Sequence, residues 1–144
     1  MMIHIAITQE AIDLNREISS SFHGSCCGAY AWFAGVVREE NEGQSVVGID
    51  YECYEAMAKK ELDKIFSEAQ KEWGIHEGRL IHRVGYLKKG EVSLFVGVTS
   101  PHRREAFSAL QYVIDELKKR VPLWKKEYYE AGHQEWISCH HGHG

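Results

Sequence analysis

The chain of 144 residues contains only two prolines, Pro101 and Pro122, and they enclose one strongly helical segment. Ser100 before Pro101 predicts a helix with the serine as its N-cap, and Pro122 ends that helix because proline cannot continue it. Between the prolines, one helical stripe is apolar and predicts the buried face: Ala106, Phe107, Leu110, Val113, Ile114, Leu117 and Val121. This amphipathic helix is therefore fixed at both ends.

Paired strands are predicted between successive helices. Residues 29–37 are apolar on both faces, as in a central strand, and Val47, Ile49, Tyr51 and Cys53 share one face of the following strand. Strands paired between helices favour an antiparallel or mixed sheet, so we expect an α+β fold with three main helices. The remaining elements are strands over 3–7, 80–87, 91–99, 124–129 and 134–138, helices over 8–20 and 55–73, and a mobile polar loop over 38–45.

Composition indicates an ordinary globular domain, with 44% hydrophobic and 26% charged residues. No apolar run is long enough to span a bilayer and the N-terminus lacks the pattern of a secretory signal, so a cytoplasmic protein is expected. The net charge is −4, yet residues 100–126 hold seven Lys and Arg against three acids. One compact basic segment argues against nucleic-acid binding and favours a small anion or an acidic peptide tail as partner.

The predicted helix after Pro101 begins with three basic side chains, His102, Arg103 and Arg104. A helix N-terminus already bears positive partial charge, so these side chains fit there if a bound anion neutralises the first turn. The alternative is that both arginines bend into water or pair with acids such as Glu105. The first interpretation predicts a phosphate or carboxylate site. The sequence pattern does not decide between the two interpretations.

Lys118 and Lys125 lie seven residues apart, with Pro122 between them. A turn at the proline can return the second lysine to the side of the first, and two close lysines depress each other's pKa. Solvated helix-end cations are the alternative. Arg38, at the end of an apolar strand, either holds an anion through its planar guanidinium group or pairs with a neighbour such as Glu39.

His82 and Arg83 lie inside a predicted strand, where alternation places their side chains on opposite faces. We expect one of the two to pair with Glu52 or Glu91, which is a structural role. The four cysteines are expected to be free thiols without a catalytic function: Cys26, Cys27, Cys53 and Cys139.

The end of the chain carries a cluster of potential metal ligands, namely Cys139, His140, His141 and His143. We expect residues 138–144 to form a disordered tail that binds metal only adventitiously, after a single domain over residues 1–137. No native metal site is expected.

Several short motifs follow one another from about residue 28 to 137. They are Gly28-Ala29 with Phe33, Gly35 and Val37-Arg38; Tyr51-Glu52-Cys53-Tyr54 with Met57-Ala58; His82-Arg83-Val84-Gly85 with Leu87 and Gly90-Glu91; His102-Arg103 with Ala106-Phe107; Asp115 to Lys118 and Val121 to Glu127; and Gly132 with Trp136. In this order and spacing they resemble the large, catalytic subunit of molybdopterin synthase, the MoaE family.

The resemblance implies an α/β-hammerhead fold and a homodimer. Each end of the dimer would bind a small ubiquitin-like sulfur-carrier subunit, giving a heterotetramer. In that family the carrier's C-terminal thiocarboxylate enters a pocket of the large subunit, and its sulfur passes to cyclic pyranopterin monophosphate. Two transfers make the dithiolene of molybdopterin, and no further cofactor is implied for this chain.

The resemblance also implies roles for individual residues. Lys118 would be catalytic, as proton donor or acceptor and as electrostatic support, and Lys125 matches the family's second lysine. His102 and Arg103 would bind the substrate's phosphate. The full set of implied substrate-binding residues is Val36, Val37, Arg38, His102, Arg103, Lys126 and Glu127.

Two functions of other classes compete with sulfur transfer. One is a non-catalytic module that docks ubiquitin-like tails in a basic groove, and the other is a nucleotide or RNA binder that uses the turn at His102. A docking groove tolerates Lys118→Arg, whereas proton transfer does not. Nucleic-acid binding would require a steep salt dependence.

Overall fold

A computed structural model describes residues 1–20, 27–130, 132 and 134–138. In this part of the chain the helices are α1 (Leu14–Ser20), α2 (Glu55–Trp73) and α3 (Arg103–Arg120). The strands are β1 (Met2–Thr8), β2 (Ala29–Val36), β3 (Glu40–Asn41), β4 (Gln44–Cys53), β5 (Glu77–Arg83), β6 (Gly85–Lys88), β7 (Val92–Ser100), β8 (Leu123–Tyr129) and β9 (Gln134–Ser138). Within these residues no helix is both long enough and apolar enough to span a membrane.

The strands form two sheets. The first has the order β1-β5-β7-β2, with β1 and β5 parallel and the other pairs antiparallel. The second has the order β3-β4-β8-β9, with β6 also paired to β4. This architecture confirms the predicted α+β class. The strand predicted over 80–87 is divided, because Gly85 adopts a φ of 88° and the chain there leaves the first sheet for the second.

Helices α2 and α3 pack against the first sheet through their apolar stripes. The buried residues of α2 are Ala58, Leu62, Ile65, Phe66 and Ala69, as the periodicity predicts. A Cβ atom at Gly78 would lie 2.5 Å from the Phe66 ring, so glycine there lets the helix approach β5 closely. On α3, Phe107 is 65% exposed, so its predicted burial is wrong: the stripe is centred on Ala106, Leu110 and Val113.

Two predicted helix starts are wrong because strands extend further than expected. Ser100 is the last residue of β7, paired with Ala29, and His102 is the N-cap of α3. The pairing keeps Ser100 extended, so the helix begins two residues after Pro101. Thr8 likewise belongs to β1, and its hydroxyl accepts a hydrogen bond from the Glu10 N–H; α1 begins at Leu14.

Strand β2 lies at an edge of the first sheet and is not central as predicted. Ala31 is its one buried residue, the other residues on that face are half-buried, and Trp32 on the opposite face is 43% exposed. In β4 a register shift between Val46 and Gly48 buries Val46 and exposes Val47, which reverses the predicted face at that position. Ile49 and Tyr51 keep the predicted alternation.

The segment predicted as a mobile loop over 38–45 contains a β-hairpin. Strand β3 pairs with the start of β4, and Glu42 and Gly43 form the turn with φ values of 50° and 79°. Positive φ at both central residues is typical of a hairpin turn whose twist matches the flanking strands. The hairpin lies at the edge of the second sheet and brings Asn41 next to β8 side chains.

A second, smaller core lies beneath the second sheet. It is built from Val37, Val46, Ile49, Leu87 and Tyr129. Tyr51 packs against both this core and the main one. The space between the two cores, near the end of α3, is where the candidate site lies.

Candidate active site

A cavity of about 250 Å³ opens between the two sheets. Its apolar walls come from both cores, with Leu94, Leu117 and Leu123 from one and Val46 and Ile49 from the other. Its charged lining residues come from the loop before β3, from the end of α3 and from β8: Arg38, Lys118, Lys125 and Glu127. Charges between apolar walls interact more strongly than in water, so the three cations of this lining suit an anion.

The turn after α3 brings Lys118 and Lys125 into the same cavity. Val121 is the C-cap of α3, and β8 begins at Leu123 directly after Pro122. Lys118 is half-buried, and Lys125 is only 6% exposed. The sequence-based expectation that the proline returns the second lysine to the side of the first is met in that both line one cavity.

Glu127 forms the centre of a hydrogen-bonded group beside Lys125. The Lys125 Nζ lies 3.1 Å from Glu127 Oε1, and the Asn41 Nδ2 donates to Glu127 Oε2 at 2.8 Å. The Tyr129 hydroxyl also donates to Oε2 and accepts from Asn41 Nδ2 at 3.1 Å. Burial would raise the pKa of the Glu127 carboxyl, but the Tyr129 hydrogen bond and the Lys125 charge outweigh it, so the pKa lies below its usual value.

His82 also lines the cavity, although sequence reasoning gave it a structural role. Its Nδ1 lies 2.8 Å from the Arg83 carbonyl oxygen, and its ring meets the Tyr51 ring edge-on. Because a carbonyl only accepts, Nδ1 carries the proton and Nε2 of the neutral ring is an acceptor. Burial lowers the pKa of His82 to about 4, so the ring is neutral near pH 7.

The structure also places three other residues that the sequence analysis discussed: Arg83, Cys53 and Arg38. Arg83 pairs with Glu91 at 2.8 Å, which confirms one of the two expected partners. Burial raises the pKa of the Cys53 thiol to about 11, which suits the expected absence of thiol chemistry there. Arg38 is exposed at the mouth of the cavity.

His102 and Arg103 lie far from this cavity within one chain. Both are exposed at the start of α3, whereas Lys118 lies near its end. Fifteen residues of helix separate Arg103 from Lys118, a rise of about 22 Å. One chain therefore does not bring the predicted phosphate-binding residues to the predicted catalytic lysine.

Two further predicted site residues also lie outside the cavity lining. Val37 is 2% exposed in the second core, while its neighbour Val36 lines the cavity. Lys126 points to the opposite face of β8 from Lys125, where its Nζ lies over the rings of Tyr128 and Trp136 at 5.5 and 5.4 Å. Strand alternation alone requires this separation of the two lysines.

Asn41, His82 and Tyr129 are site residues that sequence reasoning missed. For Tyr129 a signal existed, because it stands two residues after Glu127 on the same face of a strand. Asn41 had none, since only the hairpin brings it to a partner 86 residues away. Among the described residues no cluster of His, Cys, Asp or Glu is arranged to hold a metal ion. The cluster at Cys139 and the histidines after it lies outside the described residues.

Comparisons with known proteins agree with this geometry. The MoaE protein family matches residues 7–120. A curated relative from Bos taurus, named molybdopterin synthase catalytic subunit, is 37% identical over 132 residues, covering 92% of this chain and 69% of the relative. A relative of the same name from Drosophila persimilis is 42% identical over 137 residues; this chain spans only 38% of its length.

A solved structure gives the same result. The crystal structure of molybdopterin synthase from Staphylococcus aureus contains a chain with a TM-score of 0.83 and 34% identity, covering 91% of this chain and 94% of that chain. The match confirms the fold that the resemblance implied. The sequence motifs, the fold and the relatives together establish that this chain belongs to the MoaE family of molybdopterin synthase catalytic subunits.

Proposed function

We propose that this chain transfers sulfur from the C-terminal thiocarboxylate of a small ubiquitin-like carrier subunit to cyclic pyranopterin monophosphate. Two such transfers make the dithiolene of molybdopterin. The observation that carries the proposal is the placing of Lys118 and Lys125 in one cavity with Arg38 at its mouth. The relatives support it, since they are named as the catalytic subunit of an enzyme that makes molybdopterin.

The charge of the cavity suits an anionic peptide end. Of the described residues that line it, three are cations, Arg38, Lys118 and Lys125, and one is a carboxylate, Glu127. Glu127 is paired with Lys125, and Lys118 and Arg38 add two further positive charges to the lining, which favours a thiocarboxylate or a phosphate. The apolar walls exclude water and strengthen these interactions.

Each transfer exchanges one sulfur for one oxygen on the carrier. A bond forms between the sulfur and a side-chain carbon of the pterin, and a carbon–oxygen bond at that same carbon breaks, its oxygen leaving as water or staying on the phosphate. The bond from the sulfur to the carrier's acyl carbon breaks by hydrolysis, and water supplies the oxygen of the carboxylate that leaves. Lys118 gives or accepts the proton at the reacting atoms and stabilises the negative charge that develops there. Lys125 supplies a second, fixed positive charge.

The phosphate-binding roles of His102 and Arg103 require a second copy of the chain. These residues lie about 22 Å along α3 from Lys118, which exceeds the reach of a substrate bound in one cavity. In a homodimer, the start of α3 from one copy would complete the cavity of the other. This arrangement also explains why three basic side chains occupy the start of α3, a position that ordinarily disfavours cations.

A single-turnover reaction tests the catalytic proposal. The purified chain is mixed with a thiocarboxylated carrier and cyclic pyranopterin monophosphate, and the dithiolene product is detected by mass. We expect Lys118→Ala and Lys118→Arg to lower the rate by about a hundredfold or more, because arginine keeps the charge but does not exchange its proton. Lys119→Ala is the matched control, since that side chain is 69% exposed and pairs only with Glu116 among the contacts described.

Three outcomes of this reaction separate the possibilities. Product from the unaltered chain and its loss in both Lys118 variants supports proton transfer. Product that survives in Lys118→Arg reduces the role of this lysine to charge alone. No product from the unaltered chain, despite tight carrier binding, contradicts sulfur transfer and favours the docking module.

Subunit mixing tests the shared site. Lys118→Ala and Arg103→Ala are each expected to be inactive alone, because each dimer lacks one essential group in both cavities. When the two proteins are mixed and allowed to exchange subunits, some dimers should have one intact cavity, and activity should return. If the mixture stays inactive although exchange is complete, Arg103 does not act across the dimer.

A further inference from the structure

We propose that Asn41 and Tyr129 are positioning residues for the reaction: together they fix the Glu127 carboxylate so that it holds Lys125 at one place in the cavity. The inference rests on the proposed function, because it assigns a role within the same site. Asn41 lines the cavity and Tyr129 does not, but the role assigned here to both is exerted through their hydrogen bonds to Glu127.

The three side chains form a closed set of hydrogen bonds. The Asn41 amide nitrogen has two N–H groups, and it directs one to Glu127 Oε2 and the other to the Tyr129 oxygen, at 2.8 and 3.1 Å. The Tyr129 hydroxyl in turn donates to the same Glu127 oxygen. Both neighbours of the carboxylate therefore act on Oε2, and Oε1 is left for Lys125 at 3.1 Å.

Burial makes this arrangement consequential. Glu127 is 2% exposed, Lys125 6% and Tyr129 7%. A carboxylate removed from water and paired with a single cation is costly unless further donors satisfy it. The two extra hydrogen bonds meet that need and share the negative charge, so Lys125 does not have to supply all the compensation.

The consequence for Lys125 concerns direction. An ammonium group has three N–H donors, and one points to Glu127 Oε1 in the described contacts. Lys125 and Lys118 line the same cavity, so the contact with Glu127 fixes where this ammonium group stands in the lining. Without Asn41 and Tyr129, the carboxylate can rotate, and the lysine loses its fixed position along with it.

Asn41 also links two parts of the site. It ends strand β3, three residues after Arg38 at the cavity mouth. Its hydrogen bonds reach residues 86 and 88 positions later in the chain. The hairpin that follows Arg38 is therefore hydrogen-bonded to the strand that carries Lys125. These bonds fix the positions of the two segments that carry the cations relative to each other.

The pH dependence of the reaction gives a readout that a purely structural role would not move. Glu127 must be ionised to hold Lys125, and removing a donor raises its pKa. The acid limb of kcat/KM should then move to higher pH. The charged and titratable groups around Glu127 are Tyr129, through its hydrogen bond, and five residues of the cavity lining: Lys125, Arg38, Lys118, His82 and Tyr51.

The deciding experiment compares Tyr129→Phe with Tyr128→Phe in steady-state sulfur transfer across pH, with the thiocarboxylated carrier in excess over the chain. Tyr128 is the matched control, because it is the next residue on the opposite face of β8, beside Tyr86. We expect Tyr129→Phe to lower kcat about tenfold with little change in KM, and to move the acid limb upward. Thermal unfolding of both variants confirms that they are folded.

A second pair of variants and a direct titration test the inference even if Tyr129→Phe does not fold. Asn41→Ala should reproduce the upward shift of the acid limb, whereas Glu40→Ala, on the exposed side of the same strand, should not. Carbon-13 NMR of the glutamate side chains measures the Glu127 pKa in each variant without the reaction.

The inference is contradicted if Tyr129→Phe and Asn41→Ala match their controls in kcat, in the acid limb and in the Glu127 titration. It is also contradicted if the titration moves but the reaction does not, since Glu127 would then not act on catalysis. An unaltered chain that makes no product overturns the proposed function and this inference with it, which is distinguishable from failure of the variants alone.

Discussion

The two faces of strand β8 carry similar side chains in opposite surroundings. Both have a lysine and a tyrosine, and the strand alternates strictly between buried and half-buried residues. On the inner face, Lys125 is paired with a buried carboxylate and lines a cavity. On the outer face, Lys126 rests over the Tyr128 and Trp136 rings, and Trp136 is 49% exposed.

The chemistry of a lysine on β8 therefore depends on which face of the strand it occupies. Lys126 is half-buried, and each of its two ring contacts is worth about 1 kcal/mol. Lys125 has a charge partner whose own burial makes any change costly. Substitution of Lys125 is therefore expected to have larger consequences than substitution of Lys126, although the family resemblance includes both lysines.

The largest expected effect separates the two lysines. Lys125→Ala should lower the single-turnover rate about a hundredfold, because it removes a fixed cation from the cavity. It should also lower the melting temperature, since Glu127 is left buried without its cation. Lys126→Ala should change the rate less than about fivefold. Equal loss in the two variants would break the distinction between the faces.

Acidification is expected to have an intermediate effect on stability through the buried His82. The pKa of His82 falls from 6.5 to about 4 on burial, so between these pH values the unfolded chain binds a proton that the folded chain does not. Stability is therefore lost as pH falls through this window, by at most about 3 kcal/mol for this group. His82→Phe should remove that loss.

Urea unfolding at pH 7 and pH 4.5 measures this effect. The free energy of unfolding of the unaltered chain should fall more between the two pH values than that of His82→Phe. His76→Gln is the control, because this histidine is exposed. Equal pH dependence in the chain and in His82→Phe would show that His82 is not held neutral by burial.

The smallest expected effect concerns the hairpin that carries Asn41. Glu42 has a φ of 50°, a conformation that asparagine adopts more readily than glutamate. Glu42→Asn should therefore raise the free energy of unfolding by about 0.5 kcal/mol and leave the reaction rate unchanged. Glu39→Asn, outside the turn, is the control. Destabilisation by Glu42→Asn would contradict the described turn.

Much of the fold was predictable because its signals are local. The bounds of α2 were predicted correctly from periodicity, and the closing hairpin from its alternation around Gly132. Errors arose where strand pairing overrode local signals. Ser100 is a good N-cap in sequence, but its pairing with Ala29 keeps it in β7, and the register shift in β4 reversed Val47.

The site was less predictable than the fold. The proline between Lys118 and Lys125, and the position of Arg38 at the end of an apolar strand, singled these residues out, but only the family resemblance implied their roles. Asn41 carries no local signal, since its partners lie on a distant strand, and the place of His82 in the cavity depends on elements far from it in sequence. The distance from His102 to the cavity was also not predictable, because a motif does not reveal which end of a helix faces which pocket.

The most direct test is a crystal structure of this chain bound to a peptide that ends in a thiocarboxylate, like the proposed carrier's tail. We expect the terminal sulfur within contact distance of the Lys118 Nζ, inside the cavity and on the inner side of β8. A peptide end lying on the outer face, beside Lys126 and Trp136, would contradict the assignment of the cavity as the active site.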